Sequence, residues 1–242
     1  MPTVPKWMAN AMEKLFANQF HPVKVTDMTY LDMQLKRVRF EGDLSKTKFK
    51  SGKVIEFRVG DTAFRHYTPS HFDKENGVCE VLFYLHGLGE GSEWAHSLSL
   101  GDSVKLMGPG GKMTLKENAH KHFFFGDETS LGLHLNFATT AQRLGKEWTS
   151  LLELKQEHQH WSELINLPSK VVQSSFEYPA KDAIALLENI DHSWWTTAHE
   201  TIFYLSGRAK SILAFRNYLR SKGISSRNMQ TYPYWAKGKR GL

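Results

Sequence analysis

The spacing of apolar residues changes once along this chain, near Lys121, and that change limits the folds open to it. From about Lys24 to Met113 the apolar signals are short alternating runs. Met33-x-Leu35-x-Arg37-Val38-x-Phe40, Val54-Ile55-Glu56-Phe57-Arg58-Val59, Val78 to Leu85 and Val104-Lys105-Leu106-Met107 are the clearest. Gly52, Gly60-Asp61, Asn76-Gly77 and Gly101-Asp102 punctuate them. Side chains of a strand alternate between two faces, so such runs between turn residues predict an antiparallel barrel or sandwich. After Lys121, strand and helix patterns take turns. Phe123-Phe124-Phe125-Gly126 precedes a helix over 130–144; strands at 150–154, 171–176 and 201–207 alternate with helices at 179–190 and 209–220. That order predicts a parallel sheet with crossover helices. Residues 8–18, with Met8, Met12, Leu15 and Phe16 apolar, fit a short amphipathic helix. The expected division is a helical extension over 1–20, an all-β domain over 21–118 and an α/β domain over 119–242.

Composition narrows the chemistry. A single cysteine, Cys79, excludes an internal disulfide and a four-cysteine iron–sulfur cluster. Its place in Val78-Cys79-Glu80-Val81 predicts a structural residue. No apolar run approaches the ~18 residues of a membrane span, and Met1-Pro2-Thr3-Val4-Pro5-Lys6 lacks a signal pattern. A soluble, cytoplasmic protein without membrane contact is expected. The formal charge is +6, and the stretch from Arg220 to Leu242 holds six basic residues and no acidic one. It is either a solvated tail or an electropositive mouth for an anionic ligand or an acidic partner. No helix-turn-helix, zinc-finger or aromatic RNA-binding signature accompanies it, so nucleic acid is not the expected partner.

Three loops stand out. Arg65-His66-Tyr67-Thr68 is the kind of strand end that holds a flavin: the arginine fork suits a phosphate, the tyrosine ring can lie on an isoalloxazine, and the threonine can hydrogen-bond near N5. Phe83-Tyr84-Leu85-His86-Gly87 leads into Gly89-Glu90-Gly91-Ser92-Glu93-Trp94-Ala95, a small-residue turn opening a helix whose free N–H groups suit a pyrophosphate. Gly126-Asp127-Glu128-Thr129-Ser130 and Ser206-Gly207 fall at predicted strand-to-helix corners, where open parallel sheets bind ligands. Other motifs fail. Gly108 to Thr114 lacks the first glycine and the hydroxyl residue of a P-loop, and no Gly-x-Ser-x-Gly elbow accompanies His86-Gly87-x-Gly89. His120-x-His122 and His158-x-His160 lack completing ligands, so no metal site is expected.

Taken in this order and spacing, these pieces resemble the siderophore-interacting proteins, FAD-dependent ferric-siderophore reductases of the ferredoxin-reductase superfamily. The resemblance runs from about Met33 to Gly238 and includes Gly101-Asp102-x-Val104, Gly108-Pro109-Gly110-Gly111, Ser206-Gly207-Arg208-Ala209 and Tyr234-Trp235-Ala236-Lys237-Gly238. The chain departs from the pattern at Ser70, where a second arginine is usual, at Ser130 for alanine, at Arg208 for glutamate and at Ala236 for arginine. The resemblance implies a Greek-key β-barrel that binds FAD, followed by an NAD(P)-binding-like α/β domain. It implies reduction of iron(III) in a siderophore complex, with electrons from NADPH, NADH or a ferredoxin, and no side chain acting as acid, base or nucleophile. Arg65 would meet the FAD phosphates, Tyr67 the ring face and Thr68 the N5 edge, with His66, His86 and Gly87 lining the cofactor. Gly89, Glu90, Gly91, Ser92, Trp94 and Ala95 would cradle the pyrophosphate. Asp127, Glu128, Thr129 and Ser130, with Gly207 and Arg208, would border the nicotinamide or donor side, and Tyr234 and Trp235 would lie near the flavin pocket. Lys237, Lys239 and Arg240 would attract an anionic substrate. Three alternatives stay open at this point: an NAD(P)H-dependent flavin reductase without a siderophore role, a reductase fed by a small acidic iron–sulfur protein, and a non-catalytic siderophore- or iron-binding protein.

Overall fold

The computed structural model describes residue 7, residues 19–190 and residues 192–239. The helix expected over 8–18 and Arg240 lie outside them. The chain packs as two units that part between Thr114 and Leu115.

Among the described residues, the first unit contains seven strands: β1 (Phe20–Asp32), β2 (Leu35–Gly42), β3 (Val54–Arg58), β4 (Phe64–Tyr67), β5 (His71–Asp73), β6 (Val78–Tyr84) and β7 (Ser103–Gly110). Every neighbouring pair is antiparallel, in the order β4-β3-β7-β1-β2-β6-β5. The two ends of that order, β4 and β5, are joined by only Thr68, Pro69 and Ser70. Such a link reaches at most about 15 Å at 3.8 Å per Cα step. Seven strands laid flat would separate their outer members by roughly 29 Å. The sheet therefore curls until its ends approach, which gives the barrel its shape. Alternation does the rest: Cys79, Val81 and Phe83 of β6 join Val38, Phe40, Ile55, Phe57 and Leu106 in one buried core. Burial pushes the Cys79 thiol up, as suits a structural residue.

One strand expectation is corrected at Met33. The apolar spacing predicts one strand from Met33 to Phe40, whereas β1 and β2 form a hairpin that turns at Met33-Gln34. Met33 is 89 % exposed there. The Gln34 N–H donates to Asp32 Oδ1 at 3.1 Å, an Asx turn that competes with strand pairing.

The second unit alternates strands and helices, as expected. They are β8 (Lys121–Gly126), α2 (Leu131–Arg143), β9 (Glu147–Leu154), α3 (Trp161–Leu164), β10 (Lys170–Gln173), α4 (Lys181–Glu188), α5 (His192–Thr197), β11 (Thr201–Arg208), α6 (Ala209–Ser221) and β12 (Met229–Trp235), while α1 (Glu90–Ser97) belongs to the first unit. The sheet order is β10-β9-β8-β11-β12, all parallel. Phe123, Phe125, Leu151, Phe203 and Leu205 pack against Ala183 and Leu187 of α4 and Ile212, Phe215 and Leu219 of α6. The rings of Phe125 and Phe215 stack at 4.2 Å. The chain leaves β8 toward one edge and returns beside it in β11, so the switch point lies between Gly126 and Gly207.

Candidate functional site

In β4 the alternation that builds the barrel also sorts the tetrad. Arg65 and Tyr67 pair with Phe57 and Ile55 and share a face, whereas His66 pairs with Glu56 on the other. Tyr67 is half-buried in an aromatic cluster, 4.8 Å from Phe83 edge-on and 6.4 Å from Trp94, whose ring is tilted only 27° from its own. The Tyr67 hydroxyl donates to the Gly91 carbonyl at 3.3 Å. Arg65 Nη2 meets Glu90 Oε2 at 2.9 Å, and Nη1 donates to the Phe64 carbonyl. A Cβ on Gly91 would stand 2.8 Å from the Tyr67 hydroxyl, so α1 and β4 approach closely at this glycine and a side chain there would push against Tyr67.

The turn before α1 is open. His86 to Glu90 are all exposed, and Gly87 and Gly89 take positive φ of 72° and 83°. Ser92 Oγ accepts from Gly87 N–H at 3.1 Å and so closes the turn, with Ser92 and Ala95 buried beneath it. The helix N-cap is Gly89, which offers no side-chain acceptor to the first-turn N–H groups. An uncapped helix start beside an arginine fork fits an anionic group such as a pyrophosphate. Ser70 gives no second charge; its N–H and hydroxyl both donate to the Glu80 carbonyl.

Two features of this unit were not read from the sequence. Lys36 is fully buried, and its ammonium donates to the carbonyls of Ala95 at 3.0 Å, His96 at 3.3 Å and Leu98 at 2.8 Å. It thus caps the C-terminal end of the helix whose N-terminal end faces the open turn. Glu56 is buried beside His66, with Nε2 to Oε1 at 3.6 Å. Burial pushes the Glu56 carboxyl up to about 7 and the His66 imidazole down, so burial disfavours the charged form of both partners. An alternating strand marks these residues only as facing in or out, and gives no hint of their partners.

The second unit gathers Asp127, Thr129, Gly207, Arg208 and Trp235 at its switch point. Asp127 Oδ1 accepts from Thr129 N–H at 2.9 Å, and Oδ2 accepts from Arg208 N–H and from Trp235 Nε1–H, both at 2.8 Å. Burial raises its carboxyl to about 6, against the pull of these donors. A Cβ on Gly207 would lie 2.5 Å from Asp127 Cγ, and one on Gly126 would lie 2.0 Å from Ser130 Oγ. Both corner glycines are thus required by close approach. Glu128 turns elsewhere: buried, it accepts from Lys155 N–H at 2.8 Å and contacts His158 Nδ1 at 3.0 Å. The Arg208 guanidinium is fastened to the Ser175 and Phe176 carbonyls at 2.9 and 2.8 Å and lies over the Phe176 ring. It is neither swung into solvent nor free in its present rotamer. Tyr234 packs edge-on against Tyr232 at 5.4 Å and is the extra residue of an irregularity in the β11–β12 pairing, which places Trp235 opposite Arg208. Lys237 is exposed with its ammonium 4.4 Å from the Phe176 ring centroid, and Lys239 is exposed beyond it. Among the described residues no group of three or more His, Cys, Asp or Glu side chains could hold a metal. Nor is any helix among them long and apolar enough to cross a membrane.

Comparison with known proteins fits this geometry. Residues 43–113, which hold β3 to β7 and α1, match the sequence model of the siderophore-interacting FAD-binding domain. NADH-cytochrome b5 reductase 2 of Aspergillus niger is 27 % identical over 106 residues, covering 41 % of this chain and 33 % of that protein. NADH-cytochrome b5 reductase 1 of Dictyostelium discoideum is 32 % identical over 73 residues, 29 % of this chain and 26 % of that protein. These matches span a third or less of the curated relatives. The siderophore-interacting protein SipS of Aeromonas hydrophila superposes with a TM-score of 0.73 at 19 % identity, over 92 % of this chain and 93 % of that one. Residues 43–113 are therefore similar to a siderophore-interacting FAD-binding domain, which supports FAD as the cofactor, and the chain as a whole has the fold of SipS.

Proposed function

We propose that this protein is an FAD-dependent reductase of ferric siderophore complexes, acting in the cytoplasm and taking electrons from NADH, NADPH or a ferredoxin. The observation that supports this best is the Arg65–Tyr67 pair set against the uncapped start of α1, within the segment that matches the siderophore-interacting FAD-binding domain. The flavin, when bound, supplies the redox chemistry, accepting a pair of electrons and releasing them singly to iron(III). The chain's own residues bind and orient. Arg65 holds phosphate through its planar fork, Tyr67 faces the ring, Thr68 meets the N5 edge, and the Gly87–Ser92 turn cradles the pyrophosphate. At the switch point of the second unit, Asp127, Thr129 and Gly207 border a nicotinamide, a donor class favoured by the NADH-dependent names of the two curated relatives. Lys237, Lys239 and Arg240 draw in an anionic ferric chelate or an acidic iron–sulfur partner.

The test is direct. Purified protein should carry a flavin spectrum, and stopped-flow mixing with NADH, NADPH and reduced ferredoxin should identify the donor before a ferric chelate is added. Absence of bound flavin after incubation with FAD would favour a non-catalytic binding protein. Arg65→Ala should weaken FAD roughly ten- to a hundredfold, the loss of one charge-assisted pairing. A second reading, an NAD(P)H-dependent flavin reductase, is favoured by Ser70, whose polar groups turn to Glu80 and leave the phosphates without a second arginine. It predicts that free flavin is reduced as fast as the chelate.

A further inference from the structure

We infer that Glu90 is a built-in competitor of the FAD phosphates for Arg65, and that it sets how tightly the cofactor is held. The inference rests on the proposed role of Arg65. Both terminal nitrogens of that guanidinium are already engaged: Nη1 on the Phe64 carbonyl at 2.8 Å and Nη2 on Glu90 Oε2 at 2.9 Å. Glu90 is the first residue of α1, so its carboxylate stands at the positive end of the helix that an incoming phosphate would use. Carboxylate and phosphate cannot share one fork without like-charge repulsion, and Glu93, exposed in the same first turn, adds a second negative charge. The competitor is displaceable. The Glu90 side chain is 47 % exposed, on a rim where His86 to Glu90 are all exposed, so it can turn into water at small cost. Gly91, next in the chain, is packed against Tyr67 and Arg65, so the backbone itself stays in place while the Glu90 side chain leaves. Glu90 therefore discriminates between ligands. It opposes a flavin that carries phosphate and is indifferent to one that does not.

The experiment is equilibrium binding of FAD and of riboflavin, by flavin fluorescence, to the full chain and to the variants Glu90→Gln, Arg65→Ala and the double variant. Glu90→Gln should bind FAD about three- to tenfold tighter at ~0.05 M salt, a gain that shrinks at ~0.5 M as screening grows. Riboflavin affinity should be unchanged, and the gain should vanish when Arg65 is already alanine. If Arg65→Ala weakens FAD while Glu90→Gln leaves it equal or weaker, Glu90 orients the arginine and the competition idea is wrong. If Arg65→Ala leaves FAD affinity intact, the phosphate role of Arg65 falls and this inference falls with it. A gain shared equally by riboflavin also overturns it, since the effect would then not involve phosphate.

Discussion

Replacing Lys36 by methionine keeps the length and apolar stem of the side chain but removes the cation that closes α1. Three carbonyls lose their donor; those of Ala95 and Leu98 lie in buried surroundings, while that of His96 is partly open to water. An unsatisfied buried acceptor costs about 1–3 kcal/mol, so the two buried ones together cost about 2–6 kcal/mol. Against this stands the relief of removing a buried cation. Burial holds the Lys36 amine below its ordinary pKa of 10.5, which shows that the charge is held at some expense. The net is a loss of about 2–4 kcal/mol. For a unit of this size that corresponds to a fall in Tm of very roughly 8–20 °C. Thermal unfolding followed by circular dichroism, with the two units treated as separate transitions, measures it. The same lysine has a pH signature. A base whose folded pKa lies below its unfolded one binds fewer protons when folded, so stability should climb as pH rises toward 10.5, and the methionine variant should lack that climb. FAD affinity should fall with riboflavin affinity little changed, because α1 carries the phosphate-facing turn. A Lys36→Met protein that melts within about 2 °C of the native one would refute the argument, showing that the three carbonyls find water instead.

Three further outcomes follow from the site. Gly91→Ala should weaken FAD and perturb its spectrum without loss of fold stability, since alanine favours the helix but its Cβ would meet the Tyr67 hydroxyl at 2.8 Å; absorbance and fluorescence titrations decide it. Glu56 holds its proton in the folded chain up to about pH 7 against an ordinary 4.5, so its contribution to stability is complete below pH ~4.5 and is lost as pH rises through about 7. Glu56→Gln should therefore raise stability at pH 8 by about 2–3 kcal/mol and flatten the pH profile of urea unfolding; an unchanged slope would count against burial as the cause. Neutralising Lys237, Lys239 and Arg240 to glutamine should lower kcat/KM for an anionic ferric chelate and flatten its salt dependence, with little change on a neutral one. Equal losses on both would indicate a structural role for the segment.

The two-part architecture could be read from the sequence because burial imposes a period, and a period is a local property. Alternation at Val78 to Leu85 and the strand–helix order after Lys121 announced the two sheets directly. The tetrad and the small-residue turn stand out as short motifs, but what holds Arg65 and Tyr67 lies more than twenty residues on, at Glu90 and Gly91. Local pattern failed where a turn interrupts it, as at Met33-Gln34, and where a strand is short of alternating apolar residues, as in β12. What the sequence could not determine was which side chains meet across long separations. Lys36 reaches a helix end some sixty residues away, Trp235 reaches Asp127, Arg208 is fastened to the Ser175–Phe176 carbonyls rather than left in water, and Glu128 turns to His158. A buried charge must find a partner, but the pattern of apolar residues says only that it is buried. The partner is chosen by how the strands are ordered and how closely the glycines let backbone and side chains approach, and only the tertiary structure decides that.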